Sequence, residues 1–177
     1  MRLFLDTANI EEIREINRWG VLSGVTTNPT LVFKEAIDPE QVWKEILAEV
    51  DGDVSLETTE PEAAAMYEEG KHLATFADNA VVKVPMTPAG LEAGKRLVDD
   101  GIRINVTLVF SLPQALLTAK AGATFVSPFV GRLDDAGNDG MQVVREDDPG
   151  VDGERPLPTD AADRIARVLF EVAGAGR

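Results

Sequence analysis

Val81-Val82-Lys83-Val84-Pro85 is an apolar, β-branched run interrupted by one charge near its carboxyl end. A strand covered on both faces is expected to be apolar throughout, so a lysine at that point needs a reason. Five other short runs end in the same way. Residues 2–6 close on Asp6, residues 22–27 carry Thr26 with Asn28 just behind, and residues 53–57 close on Glu57. Residues 102–107 carry Asn105 and Thr107, and residues 124–129 carry Ser127. Side chains alternate faces along a strand, so Asp6 shares a face with Phe4, Lys83 with Val81, Asn105 with Thr107, and Ser127 with Phe125 and Phe129. From Asp6 to Asn28, Glu57, Lys83, Asn105 and Ser127 the steps are 22, 29, 26, 22 and 22 residues, one strand-plus-helix each time. Helical patterns fill the gaps at 10–18, 39–50, 61–76, 88–99 and 112–121. Asp38-Pro39 and Glu60-Pro61 offer proline at a first helical position, and Gly101 and Gly122 offer stops.

This alternation predicts an α/β fold with parallel strands and right-handed crossovers. Polar residues at the carboxyl ends of successive strands are the mark of a (β/α)8 barrel active site. A doubly wound sheet would gather its ligands at one switch point, and no glycine-rich phosphate loop follows the first strand.

Composition narrows the chemistry. The chain has 177 residues, 31 acidic and 17 basic, with one histidine, no cysteine and a formal net charge of −14. Without cysteine there is no disulfide framework, thiolate nucleophile or cysteine-ligated metal. His72 alone cannot build a multi-histidine metal site, and no carboxylate–histidine spacing suits a metal. Strong acidity argues against nucleic acid and anionic membranes as partners. A hydrophobic content of 44% is that of a globular chain. The first residues give no signal peptide, and no apolar run approaches the ~20 residues of a membrane helix, so a cytoplasmic protein is expected.

Lys83 in an apolar strand reads either as an amine kept available to a carbonyl by a low-dielectric interior, or as an edge or ion-paired lysine. Asp6 and Glu57 are carboxylates at equivalent repeat positions, suited to the proton transfers of imine chemistry. The plainer alternatives are a cap within Asp6-Thr7-Ala8-Asn9 and a solvated strand end at Glu57. Asn28, Asn105, Thr107 and Ser127 could hydrogen-bond a polyhydroxylated substrate, and Arg132 could clamp a phosphate or pair with Asp134 or Asp135. His72 is expected on a solvated helix, and Trp19, Trp43 and Phe33 in barrel–helix packing.

Five stretches together resemble the short transaldolase family, which includes the fructose-6-phosphate aldolases. They are Phe4-Leu5-Asp6-Thr7-Ala8-Asn9, Gly24-Val25-Thr26-Thr27-Asn28-Pro29-Thr30, Val82-Lys83-Val84-Pro85, Asn105-Val106-Thr107-Leu108-Val109-Phe110 and Ser127-Pro128-Phe129-Val130-Gly131-Arg132. The resemblance spans about residues 1–144. It implies Lys83 as the Schiff-base lysine, Asp6 as proton carrier at the donor hydroxyl, and Glu57 acting through a water held by Thr107. It further implies Thr26, Asn28, Asn105, Ser127 and Phe129 around the three-carbon unit, Arg132 on the phosphate, sugar phosphates as partners and no cofactor or metal. The reaction implied moves dihydroxyacetone from sedoheptulose 7-phosphate to glyceraldehyde 3-phosphate in the pentose phosphate pathway. The aldolase branch resembles a pattern with Gln, Leu, Ala and Tyr where this chain has Glu57, Asn105, Ser127 and Phe129, which favours the transferase; fructose-6-phosphate aldolase is the alternative. Family resemblance also implies a homo-oligomer built on C-terminal helices.

The repeat expects a seventh strand ending near 149–156, yet residues 149–158 read Pro-Gly-Val-Asp-Gly-Glu-Arg-Pro-Leu-Pro, which suits no buried strand. After Val144, 13 of 33 residues are charged. The sequence thus divides into a barrel portion, 1–144, truncated to six units, and a charged tail, 145–177, with a helix expected over 159–172. A third alternative follows: an impaired, truncated or frame-shifted product that at most binds sugar phosphates or a partner.

Overall fold

The computed structural model describes residues 2–147. In chain order the elements are β1 (Phe4–Asp6), α1 (Ile10–Asn17), β2 (Gly24–Thr26), α2 (Pro29–Lys34), α3 (Pro39–Glu49), β3 (Asp53–Glu57) and α4 (Ala63–Ala74). There follow β4 (Ala80–Pro85), α5 (Pro88–Asp99), β5 (Ile104–Val109), α6 (Leu112–Ala121), β6 (Phe125–Pro128), α7 (Val130–Asp135) and α8 (Gly140–Asp147). The six strands form one parallel sheet in sequence order, β1-β2-β3-β4-β5-β6. Each strand lies beside its predecessor, so the winding never reverses and no switch point arises.

The sheet is strongly curled. Laid flat, β1 and β6 would stand about 24 Å apart, five gaps of ~4.8 Å. Instead the Phe4 and Phe125 rings meet edge to face with centroids 5.6 Å apart, and the Arg2 guanidinium lies over both, 5.2 and 5.4 Å from their centroids. The architecture is a half-barrel of six (β/α) units with its concave face inward. Outside it, Val25, Val54, Leu56, Val82, Val84, Ile104 and Val106 pack against the helices. Inside, Val81, Phe4 and Phe125 form an apolar floor at the amino-terminal end of the strands. Gly24 makes room for that floor, since a β-carbon there would lie 2.2 Å from the Phe4 ring and 2.3 Å from the Asp53 carbonyl oxygen.

Below the floor, Asp53 joins three strands. It accepts from Arg2 at 2.8 Å and from Arg103, which also donates to the Asp78 carbonyl at 2.9 Å. Burial pushes the Asp53 carboxyl up, but the hydrogen bonds and charges of the two arginines outweigh it and hold the carboxyl below the usual aspartate range. A depressed carboxylate means that the unfolded chain binds the extra proton, so its contribution is present above the unfolded pKa of about 3.9 and fades as pH falls below it. Asp53→Asn is expected to cost about 1–2 kcal/mol at pH 7, discounted because both arginines are partly solvated. Urea titrations of both proteins should converge below about pH 4; an equal gap at all pH values would remove the ionic explanation.

Several sequence expectations need adjustment. Pro39 does stand at a first helical position, and Gly122 closes α6 with φ 95°; Pro88 begins α5 in the same way, a signal that sequence inspection passed over. Pro61 does not: α4 begins at Ala63 behind Glu62. The reason is Glu69, whose carboxylate accepts from the amides of Thr59 and Glu60 and from the Thr59 hydroxyl at 2.9–3.0 Å, holding these residues in a loop. Trp43 is buried beside Phe76, as expected. Trp19 and Phe33 do not pack inside; they are 62% and 85% exposed. Trp19 lies in the turn beyond the end of α1, its amide donating to the Ile16 carbonyl at 3.0 Å, so it is not on the helix face that buries Ile13. Phe33 follows the buried Val32 on the short helix α2 and points away. His72 is exposed, with Nε2 3.2 Å from Glu40. The division drawn after residue 144 falls within α8, while the expected helix over 159–172 and the non-strand 149–158 lie outside the described residues. Among the described residues no helix is long and apolar enough to cross a membrane.

Candidate active site

Parallel register lines the polar strand ends into rows. Asp6 is level with Thr26, and Thr26 with Ser55. Glu57 is level with Lys83 and Lys83 with Asn105, while Thr107 is level with Ser127. Since the inward phase contains Phe4, Val81 and Phe125, period two puts Asp6, Ser55, Glu57, Lys83, Asn105, Thr107 and Ser127 on the concave side as well.

Lys83 is only 1% exposed. Its ammonium nitrogen donates to the Thr27 carbonyl at 3.2 Å and lies 3.2 Å from Oε2 of Glu57, whose side chain is 17% exposed. The ion-paired alternative for Lys83 is thus met, but with a carboxylate that faces the cavity. Burial of a lysine is costly without such partners. The next residue after Glu57 also serves Lys83: the Thr58 amide donates to the Lys83 carbonyl at 3.0 Å, and the Thr58 hydroxyl to the same oxygen at 3.3 Å. Strand β3 and strand β4 are therefore cross-tied at the two residues that carry opposite charge.

Asp6 does not cap α1; Asn9 does, accepting from the amides of Glu11 and Glu12. Asp6 instead accepts from the Thr26 hydroxyl at 2.9 Å. A second chain crosses the back of the site, where the Ser127 hydroxyl donates to Asn105 at 2.9 Å and Asn105 donates to Ser55 at 3.1 Å, all three fully buried. Thr107 is buried with its hydroxyl oxygen lacking a partner, an arrangement that costs free energy unless something occupies the space.

Above these groups opens a cavity of about 850 Å³, walled by Asp6, Asn28, Glu57, Leu108, Phe129 and Arg132 among others. Asn28 has two tasks, lining the wall and capping α2 through its side-chain oxygen, which accepts from Leu31 at 3.0 Å. Arg132 projects from α7 with its guanidinium 5.8 Å from the Phe129 ring, and no ion pair joins it to Asp134 or Asp135 among the described residues. Asp134 is used elsewhere, accepting from the Gly140 amide at 2.9 Å. Asp6, Asn28, Glu57, Phe129 and Arg132 thus meet at one cavity, while Lys83, Thr26, Asn105, Thr107 and Ser127 lie buried beneath it. Sequence inspection passed over Ser55, although it shares a face with Glu57 two residues on; it sits one row deeper than the strand end, where polar residues were sought. It also passed over Lys34, which joins the cavity wall from the last turn of α2.

A buried amine beside one carboxylate, a second carboxylate held by a threonine, and a row of hydroxyl and amide groups can do imine and proton-transfer chemistry on a hydroxylated carbonyl compound. Comparison with known proteins agrees at the level of family. Residues 3–154 match the family model described as Transaldolase/Fructose-6-phosphate aldolase. Over 146 residues the chain is 58% identical to a probable transaldolase of Brevibacillus brevis, covering 82% of this chain and 68% of that one. It is 60% identical over the same length to probable transaldolase 1 of Bacillus cereus, with the same coverage. A probable transaldolase of Aquifex aeolicus is 58% identical, covering 82% of this chain and 67% of its own. Among solved structures, a thiamine phosphate pyrophosphorylase from Pyrococcus furiosus superposes with TM-score 0.54 at 17% identity, over 97% of this chain and 86% of that one. At that identity the likeness is one of fold.

Proposed function

This chain belongs to the transaldolase/fructose-6-phosphate aldolase family, and we propose that it transfers a dihydroxyacetone unit between sugar phosphates through an imine on Lys83. The supporting observation is the buried Lys83 nitrogen 3.2 Å from Glu57. The Lys83 amine adds to the ketone carbon of sedoheptulose 7-phosphate, and loss of water gives the imine. Glu57 moves protons at the carbinolamine, with the partnerless hydroxyl of Thr107 holding the water between them. Asp6 takes the proton from the donor's C4 hydroxyl, the C3–C4 bond breaks, and erythrose 4-phosphate leaves while the electron pair passes into the enamine. The same carboxyl returns a proton when the enamine carbon adds to glyceraldehyde 3-phosphate, giving fructose 6-phosphate after hydrolysis.

Thr26 orients Asp6, while Asn28, Asn105 and Ser127 bind the hydroxyls of the three-carbon unit and Arg132 the phosphate. Phe129 carries no hydroxyl and so offers no proton for early release of the product, which supports transfer over simple aldol cleavage. Incubation with fructose 6-phosphate and borohydride is expected to add one reduced three-carbon unit, located on Lys83 by peptide mass spectrometry. A folded sample that gains no mass would overturn the proposal.

A further inference from the structure

The end of β5 departs from regular strand geometry at Leu108. Its φ is 62°, in the left-handed region, which a bulky side chain adopts only under constraint. The ladder to β6 slips at the same place, with Thr107 level with Ser127 and Val109 with Pro128. Leu108 is therefore the extra residue of a β-bulge, a device that re-aims side chains. In an unbroken strand, alternation would give Val109 the inward phase of Asn105 and Thr107 and turn Leu108 outward. The bulge inverts this. Val109 is wholly buried in the outer core, and Leu108 lies on the cavity wall with Phe129. Two backbone bonds hold the distortion: the Met86 amide donates to the Thr107 carbonyl at 2.8 Å, and the Phe129 amide to the Val109 carbonyl at 3.0 Å. Glycine would meet this backbone at no steric cost, so a leucine there is kept for its side chain.

We infer that Leu108 is a specificity-determining residue, held under strain so that an apolar wall shared with Phe129 keeps water and its protons from the nucleophilic carbon of the enamine, while the carbon bonded to Lys83 stays open to the water beside Glu57 and Thr107. This rests on the transfer reaction proposed above. Release of free dihydroxyacetone needs protonation of the enamine carbon, addition of water to the imine carbon and cleavage of its bond to nitrogen, which restores the Lys83 amine. Transfer needs the enamine to survive until an aldehyde arrives, and shielding from water favours it.

The test measures, with fructose 6-phosphate as donor and erythrose 4-phosphate as acceptor, the ratio of free dihydroxyacetone released to sedoheptulose 7-phosphate formed. Leu108→Ala and Leu108→Gly are expected to raise that ratio about tenfold, and Leu108→Met to restore it. Borohydride should trap the Lys83 adduct in all three as in the unaltered protein. Leu108→Gly is also expected to melt no lower than Leu108→Ala, the reverse of the usual order within a strand. An unchanged ratio in both small variants, or a glycine variant less stable than the alanine one, would overturn the inference. Absence of the adduct in the unaltered protein would instead overturn the imine mechanism, and the inference with it.

Discussion

Lys83→Met is expected to reduce transfer by about 10⁴-fold or more and to abolish the borohydride-trapped adduct, because the proposed imine is built on this amine. The melting temperature should stay within a few degrees of the unaltered protein or rise above it. Lys83 is among the largest fully buried side chains of the molecule, and methionine matches its length without a charge to desolvate. The Glu57 carboxylate left behind borders the cavity, where water can reach it. Loss of activity with the fold intact, read by circular dichroism and thermal melting, would mean that the buried charge is kept for chemistry. Residual transfer above a hundredth of normal would place the nucleophile elsewhere.

Glu57→Gln is expected to lower turnover by about 10²–10³-fold, the usual worth of a positioned general acid–base. Glutamine keeps the volume and reach of the side chain but cannot take a proton. Lys83 remains, so the adduct still forms, more slowly, and the loss falls on kcat rather than on KM. The cross-tie from Thr58 to the Lys83 carbonyl uses a backbone amide and a neighbouring hydroxyl, so it survives the substitution and keeps the two strands in register. A variant with normal kcat would assign proton transfer to Asp6 alone.

The strand ends were legible because burial and polarity conflict there: Lys83 between valines, or Asn105 beside Ile104 and Val106, has no place in an ordinary buried strand. Period two then put Asp6 over Phe4 and Lys83 over Val81, and the concave floor of Phe4, Val81 and Phe125 agrees with it. What sequence pattern missed came from geometry that only the curled sheet creates. Ser55 lies in mid-strand and gains its meaning from Asn105, 50 residues away. The bulge at Leu108 has no glycine to announce it, since the strain is imposed by neighbours in space. Helix α2 was hidden because Asn28-Pro29 serves equally as turn and as capped helix start. Trp19 and Phe33 were misplaced because large apolar residues are usually inside, a rule that runs in one direction only.

The floor contact between Phe4 and Phe125 also bears on the tempo of folding. Its partners are 121 residues apart in the chain (125 − 4), whereas neighbouring strands are joined by one short crossover of one or two helices. Closing the longer loop costs about 1.4 kcal/mol more than closing one of ~25 residues, as much as an aromatic pair returns beyond its burial, roughly 0.5–1.5 kcal/mol. The contact is therefore a poor nucleus. Local strand–helix units are expected to assemble first, with the rings engaging on the native side of the barrier. An interaction absent from the transition state leaves the folding rate alone and slows unfolding. Phe4 and Phe125 act as a latch: they set how long the curled sheet stays shut once formed.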